Sequence, residues 1–355
     1  MSDTLPNLLQ TRGYIVVKKI FPRPGKDLNA KNAVYLALRY QGSLNGDPNT
    51  LLYLENKQYS DIAKHLRVIK VAGPTLNDRA PMFKELNIYT HNWKNRTPTA
   101  LREHLLEVYT EDSNVKNKGQ CWMVMDTPYP SMSLSDLVTY AKSTHEPIPE
   151  PLIAHIVLEL IQTLIDLDTN WRVPVPQNEQ AEHRGCAHGD LHYKNILLSA
   201  SQRDNSVVFP SLRIIDFARA TGKSNLKRKE RTDALTRILE KLMGSNTACG
   251  TRKHVGGKEC KHSEEWIAFW DDLYTWNRQV DVPEWRPMLA KHKDMLEKVR
   301  NNVPTQDEEK IRGLLTQALE RSGMLISDEK WEAALVEVGR VAEGIAGRAA
   351  EALAG

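Results

Sequence analysis

His188-Gly189-Asp190-Leu191-His192-Tyr193-Lys194-Asn195, followed by Leu212-Arg213-Ile214-Ile215-Asp216-Phe217-Ala218, is the part of this chain from which its architecture is read. An aspartate and an asparagine stand five positions apart, and an apolar run of Leu212, Ile214 and Ile215 delivers a second aspartate to what reads as a strand end. Upstream of them, from Tyr14 to about Val71, lie the short β-branched and aromatic runs YIVVKKIF, AVYLALRY, TLLYLE and LRVIKV, parted by Pro, Gly, Asn and Asp clusters. Asn77 to about Trp93 then reads as a helix, with Asn77 or Asp78 near its N-cap and Pro81 in its first turn. Cys121 to Met125 reads as a buried strand. From Pro149 onward the pattern is mainly helical, interrupted by a loop-rich stretch from Asn170 to Asn205 and by Gly244 to His262. Sheet first and helices second implies two lobes.

The two quoted segments resemble the catalytic loop and the metal-binding segment of the protein-kinase-like fold, in which an Asp is followed five residues later by an Asn, and an Asp-Phe-Gly follows a hydrophobic strand. The resemblance covers roughly residues 12 to 300. It implies an α+β, bilobal kinase-like fold, with a small sheet lobe carrying one helix and a larger helical lobe. The implied activity is ATP- and magnesium-dependent transfer of the γ-phosphoryl group to a hydroxyl. Phosphoryl transfer needs a carboxylate to orient the attacking hydroxyl and accept its proton, the role implied for Asp190. It also needs hard oxygen ligands for magnesium, implied for Asn195 and Asp216. Upstream and in the right order the resemblance finds its lysine in Lys70, set in the β-branched run Arg67 to Val71, and its helical glutamate in Glu85. Val34, Met125 and Asp126 complete the implied nucleotide set, Met125 lining the adenine pocket and Asp126 offering backbone groups to the base.

Four departures shape the expectation. The phosphate loop, Pro22 to Asn32, has one glycine, so Lys26 and Lys31 are the candidates to replace backbone amides by side-chain charge. Ala218 stands in the place of a glycine. The loop reads His-Gly-Asp-Leu-His, without the arginine that anchors a phosphorylated activation loop, and in this it looks like the aminoglycoside and choline phosphotransferase branch. No Ala-Pro-Glu follows Ala218, which favours a small-molecule acceptor, whereas Phe217 and MVMDTPYPSMSLSDL look more like a protein kinase acting on peptide Ser or Thr. Two other classes stay open: a pseudokinase that senses nucleotide or binds partners, and a kinase-fold enzyme of nucleotidyl transfer or phosphorylation followed by elimination.

The 355 residues are 41% hydrophobic and 26% charged with a net charge of +3, which excludes a disordered tail and any global preference for nucleic acid or membrane. Four cysteines make a poor disulfide framework, and the N-terminus lacks the order of a signal peptide, so a cytoplasmic protein is expected. Leu152 to Leu167 is too short and too charged for a membrane span and reads as a buried helix. Between Gly222 and His262 eleven Lys and Arg face four acids, a solvated basic face or a lining for an acidic or phosphorylated substrate. Cys249, His254, Cys260 and His262 are weakly spaced zinc candidates, with a flexible surface loop the alternative. At the C-terminus Thr305 with Glu308 makes a capping-box pattern, and Ser327 or Asp328 can cap a last helix. That helix has an apolar stripe of Trp331, Leu335, Val338, Ala342, Ile345, Ala349 and Leu353, expected to pack on the chain itself, with an oligomer interface as the alternative. The expected organisation is an N-lobe at 1–125, a C-lobe at 126–303 and a helical extension at 304–355.

Overall fold

The computed structural model describes residues 9–10, 12–21, 32–40, 62–93, 99–114, 121–175, 178–199, 209–222, 228–243, 264–278 and 285–354. The chain is α+β and falls into two units. The first unit, residues 1–86, 107–129 and 325–355, is built on a five-stranded antiparallel sheet of order β1-β2-β3-β5-β4. Its strands are β1 (Tyr14–Phe21), β2 (Asn32–Arg39), β3 (Leu66–Ala72), β4 (Val108–Asn114) and β5 (Trp122–Asp126). β1, β2, β3 and β5 are runs expected from the sequence, β4 was not singled out there, and TLLYLE lies outside the described residues.

Because side chains alternate across a sheet, each strand feeds two cores. One face carries Tyr14, Ala37, Ile69, Val71, Trp122 and Val124, joined by Leu9. The other carries Ile15, Leu36, Leu38 and Leu66, and on it lie Ile326, Trp331, Ala334 and Val338. These last belong to α9 (Asp328–Ala354) and the residues just before it, so the first half of the C-terminal stripe packs on the chain's own sheet. The helix is held by polar contacts too: Gln10 Nε2 donates to Glu337 Oε1 at 2.6 Å, and Lys18 Nζ to the Leu325 carbonyl at 2.8 Å. The backbone amides of Lys330 and Trp331 donate to the Ser327 carbonyl, which places the N-terminal boundary at one of the two expected capping residues.

Helix α1 (Leu76–Trp93) begins in this unit and ends in the other. Its start differs slightly from expectation. Thr75 is the cap: its hydroxyl accepts the Asp78 amide at 3.3 Å, while the Asp78 carboxylate accepts the Thr75 amide at 3.3 Å.

The second unit, residues 87–106 and 130–324, is mainly helical. After the short α2 (Thr99–Arg102) come α3 (Leu134–Thr144), α4 (Glu150–Asn170), α5 (Arg228–Met243), α6 (Glu264–Arg278), α7 (Trp285–Asn301) and α8 (Thr305–Ser322). Helix α4 is the run Leu152 to Leu167 flagged in the sequence, apolar nearly all round because it is the central helix of this unit, buried at Ile153, Ile156, Val157, Leu160 and Ile161. Ser133 and Asp136 cap α3 reciprocally. Helix α8 packs on α3, with the Arg321 guanidinium 5.0 Å from the Tyr140 ring. Its N-cap is Pro304 with no side-chain cap, so the expected Thr305 and Glu308 box does not form; Thr305 is already the first helical residue. A three-stranded sheet, β11-β10-β6, and two pairs, β12-β9 and β7-β8, complete the unit: β6 (Ser131–Ser133), β7 (Arg172–Val175), β8 (Asn178–Arg184), β9 (Cys186–Ala187), β10 (Ile196–Ser199), β11 (Ser211–Ile214) and β12 (Thr221–Gly222).

The division thus differs from the contiguous 1–125, 126–303 and 304–355. Residues 87–106 pack with the helical unit, where buried Asn92 exchanges hydrogen bonds with the Arg172 backbone. The C-terminal extension is divided: α8 joins the helices, and α9 joins the sheet because the first half of its apolar stripe packs on one of the two sheet faces. Among the described residues no helix is long and apolar enough to cross a membrane.

Candidate active site

The sheet register gathers several of the nominated residues. Val34 is paired with Lys70 and Lys70 with Met123, while Leu36 is paired with Val68 and Val68 with Met125. Directly opposed residues point to the same side, so Val34, Val68, Lys70 and Met125 share one face. Lys70 Nζ meets Glu85 Oε2 of α1 at 2.7 Å, with the lysine side chain 12% and the carboxylate 1% exposed. A buried, charge-assisted hydrogen bond of this length fixes the ammonium on that face. Met123, on the same face beside Lys70, was not singled out in the sequence; its signal was the alternation within CWMVM.

Asp126 pairs with Arg67 across the sheet, and its carboxylate lies 3.8 Å from that guanidinium, on the opposite face. Its amide is donated to the Glu107 carbonyl at 2.8 Å. The residues after it are poor in donors: Pro128 and Pro130 have no N–H, and the Tyr129 amide is donated to the Thr127 carbonyl at 3.0 Å. Of the backbone groups expected to meet a base at Asp126, the amide is therefore committed.

In the helical unit, the catalytic-type loop is tied down on both sides. His188 is buried; its Nε2 donates to the Ile215 carbonyl at 2.8 Å, and its Nδ1 accepts the Asp190 amide at 3.3 Å. These two bonds require the neutral tautomer, since a proton on Nδ1 would face an N–H. Burial pushes the imidazole below its usual pKa, against the opposing effects of the Ile215 hydrogen bond and the Asp216 and Asp190 carboxylates. Asn195 Nδ2 donates to the Asp190 carbonyl at 3.0 Å, and the Asn195 carbonyl accepts the Ile215 amide at 3.0 Å. One residue thus links the loop to the segment that carries Asp216.

Asp216 itself is left-handed, φ 67°, a conformation costly for any residue but glycine and tolerated best by Asn and Asp. What holds it there is the next side chain. Phe217 is fully buried, with its ring centroid 5.0 Å from Trp171, 5.5 Å from Tyr89 and 4.7 Å from His188.

Gly189 has a structural reason of its own. Its φ is 75°, and a Cβ built there would overlap the Arg219 carbonyl. The absence of a side chain lets the backbone after Phe217 come up against the loop, and this brings Arg219 Nε to 3.8 Å from Asp190 Oδ2. His192 Nε2 stands 4.0 Å from the other carboxylate oxygen. Arg219, 74% exposed, had no signal in the sequence, because its position depends on the contact at Gly189.

Asp190 opens into a cavity of about 800 Å³ bounded by the loop and by one face of α5, where Asp233, Arg237 and Lys241 line it, with Asp168 of α4 on another side. Part of the basic stretch noted in the sequence therefore faces the site, mixed with acids. Cys186 lines the same cavity as a buried cysteine outside any disulfide. The phosphate loop with Lys26 and Lys31, and the zinc candidates Cys249, His254, Cys260 and His262, lie outside the described residues. Among the described residues there is no cluster of three or more metal-ligating His, Cys, Asp or Glu.

No family model matches the sequence, and no curated protein matches it. Among solved structures the chain is similar to the crystal structure of the BubR1 kinase domain, with a TM-score of 0.55 and 12% identity over 85% of each chain. At that identity the likeness is one of fold, and the fold of this chain is protein-kinase-like.

Proposed function

We propose that the protein is an ATP- and magnesium-dependent phosphotransferase that moves the γ-phosphoryl group to a hydroxyl. The observation that carries the reading is the formed pair of Lys70 and Glu85 on the face shared with Val34 and Met125. A buried ion pair contributes little net stability over an apolar pair, so its presence asks for a use. Here the use is an ammonium held for the nucleotide's inner phosphates.

Asn195 and Asp216 fit magnesium as a donor set. The Asn195 amide spends its Nδ2 on the Asp190 carbonyl, which leaves Oδ1 as its acceptor, and the Asp216 carboxylate is the second hard oxygen. Phosphate oxygens and water would supply the other ligands of the magnesium. Bound there, magnesium would neutralise charge on the transferring phosphoryl group.

Asp190 orients the acceptor hydroxyl and takes its proton as the oxygen attacks the γ-phosphorus. The bond to the bridging oxygen breaks, and ADP leaves. His188 and Asn195 hold the Asp190 backbone from both sides, so the carboxylate is preorganised. The cavity in front of Asp190 is of the size that takes small ligands. Helix α5 opens at Arg228, soon after β12, and forms one of its walls. Both features favour a small hydroxyl compound over an extended peptide.

The test is turnover of Mg-ATP with the acceptor followed by mass spectrometry. A gain of one phosphate supports the proposal; a gain of a nucleotide or a loss of water contradicts it. Asp190→Ala should lower the rate by about two to four orders of magnitude while nucleotide binding stays intact.

A further inference from the structure

The C-terminal helix occupies the same sheet face as the nominated nucleotide residues. Leu36, Leu38 and Leu66 lie beneath α9 and the residues before it, and they are sealed from solvent. Val34 and Val68, next along the same face toward Lys70, remain partly exposed. Val68 also packs against the cluster that contains Trp331. The residues around Trp331 therefore rise as a step across the sheet, with a sealed apolar floor on one side and a partly exposed one, Val34 and Val68, on the other. A flat base laid on Val34 and Val68 would lie against that step.

The segment after β5 meets the same step. The Tyr129 hydroxyl accepts the Ile326 amide at 3.0 Å, and its ring stands edge-on to Trp331, with centroids 6.1 Å apart. Tyr129 is flanked by Pro128 and Pro130, which restrict the backbone, so the position of its side chain sets the path of the segment. Lys18 of the edge strand β1 reaches the Leu325 carbonyl. Two side chains from separate parts of the sheet unit, Tyr129 and Lys18, thus converge on residues 325–331.

We infer that the segment 325–338 forms one wall of the nucleotide-base site, with Tyr129 as the positioning residue that joins the wall to the segment after β5. The inference rests on the nucleotide reading above. Its consequence is reciprocal coupling: if the docked helix favours nucleotide binding, bound nucleotide must favour the docked helix by the same factor. A helix that served only to cover the sheet would show no such dependence.

The experiment is amide hydrogen exchange of the full chain with and without Mg-ADP, on the wild type, Tyr129→Phe and Trp331→Ala. Wild type should gain protection over 325–340 when Mg-ADP binds. Tyr129→Phe, which keeps the ring and removes the hydrogen-bond acceptor, should bind Mg-ADP about fivefold more weakly and show a smaller gain. Trp331→Ala should weaken binding further; should it fail to fold, the phenylalanine variant still decides. Mg-ADP bound with unchanged protection over 325–340, or with protection lost there, overturns the inference and leaves the phosphotransferase reading standing. No binding of Mg-ADP to the wild type overturns both.

Discussion

Glu85 is where a single side chain tells most. Glu85→Ala leaves the Lys70 ammonium buried without its carboxylate and should destabilise the protein by about 3–5 kcal/mol, read from urea unfolding. The double variant Lys70→Met with Glu85→Leu removes both charges and should recover most of that loss, because an apolar pair of similar size needs no desolvation. It should not recover Mg-ATP binding. Recovery of both would mean that the pair serves folding alone. Gly189→Ala sets a Cβ against the Arg219 carbonyl in a left-handed backbone and should cost at least about 1–3 kcal/mol. An unchanged melting temperature would contradict the account of Gly189 and, with it, the route by which Arg219 reaches Asp190.

Residue-scale reading from the sequence went as far as residue type and order allow. The structure pairs Lys70 with Glu85 and ties Asn195 to the Asp190 carbonyl, and these four with Asp216 were nominated from residue type and order. Arg219 and Tyr129 were not, because each depends on a contact between segments far apart in the chain: Gly189 with the Arg219 carbonyl, and Tyr129 with Ile326.

At the scale of elements, α4 and α9 make contrasting predictions. Leu160 sits in the middle of the buried α4, and Leu160→Ala should cost about 2–5 kcal/mol by urea unfolding. Val336 projects from α9 at 73% exposure, and Val336→Ser should change stability by no more than about 0.5 kcal/mol. A large effect at Val336 would show that this face of α9 is covered in solution, as an oligomer would cover it. The stripe of α9 and the apolar run of α4 were plain in the sequence, and so were the β-branched and aromatic runs of β1, β2 and β3 and the apolar run of β5. The partner of α9 was less so, since an amphipathic stripe states that it must be buried and is silent on what buries it. Helix starts shifted by a residue or two where Thr75 and Pro304 took positions assigned to their neighbours.

For the whole molecule, buried His188 and half-buried His155 link stability to pH. Burial holds the pKa of His188 and of His155 below the ordinary value, in His155 against a hydrogen bond to the Pro210 carbonyl. Unfolding restores a pKa near 6.5. Between the two values the unfolded chain binds more protons, so stability rises with pH there. The contribution is complete above about pH 6.5 and is lost as pH falls toward the folded-state values. The melting temperature should fall on acidification from pH 7.5 to about 5.5, and His188→Gln, which cannot gain that proton, should show a shallower fall. Equal slopes would remove His188 from the account. The arrangement in two units was foreseen in outline, but its division was not, because the return of α9 to the sheet and of residues 87–106 to the helices is a long-range packing outcome.

The central proposal is that the chain binds Mg-ATP with Asp216 among the magnesium ligands. Thermal unfolding with and without Mg-ATP, on the wild type and on Asp216→Asn, tests it most directly. Ligand at a hundredfold excess over its dissociation constant adds about 2.7 kcal/mol, which for a chain of this length raises the melting temperature by a few degrees. The account predicts a rise that requires magnesium and is lost in Asp216→Asn. No rise at any nucleotide concentration, or an equal rise without magnesium and in the variant, would contradict it.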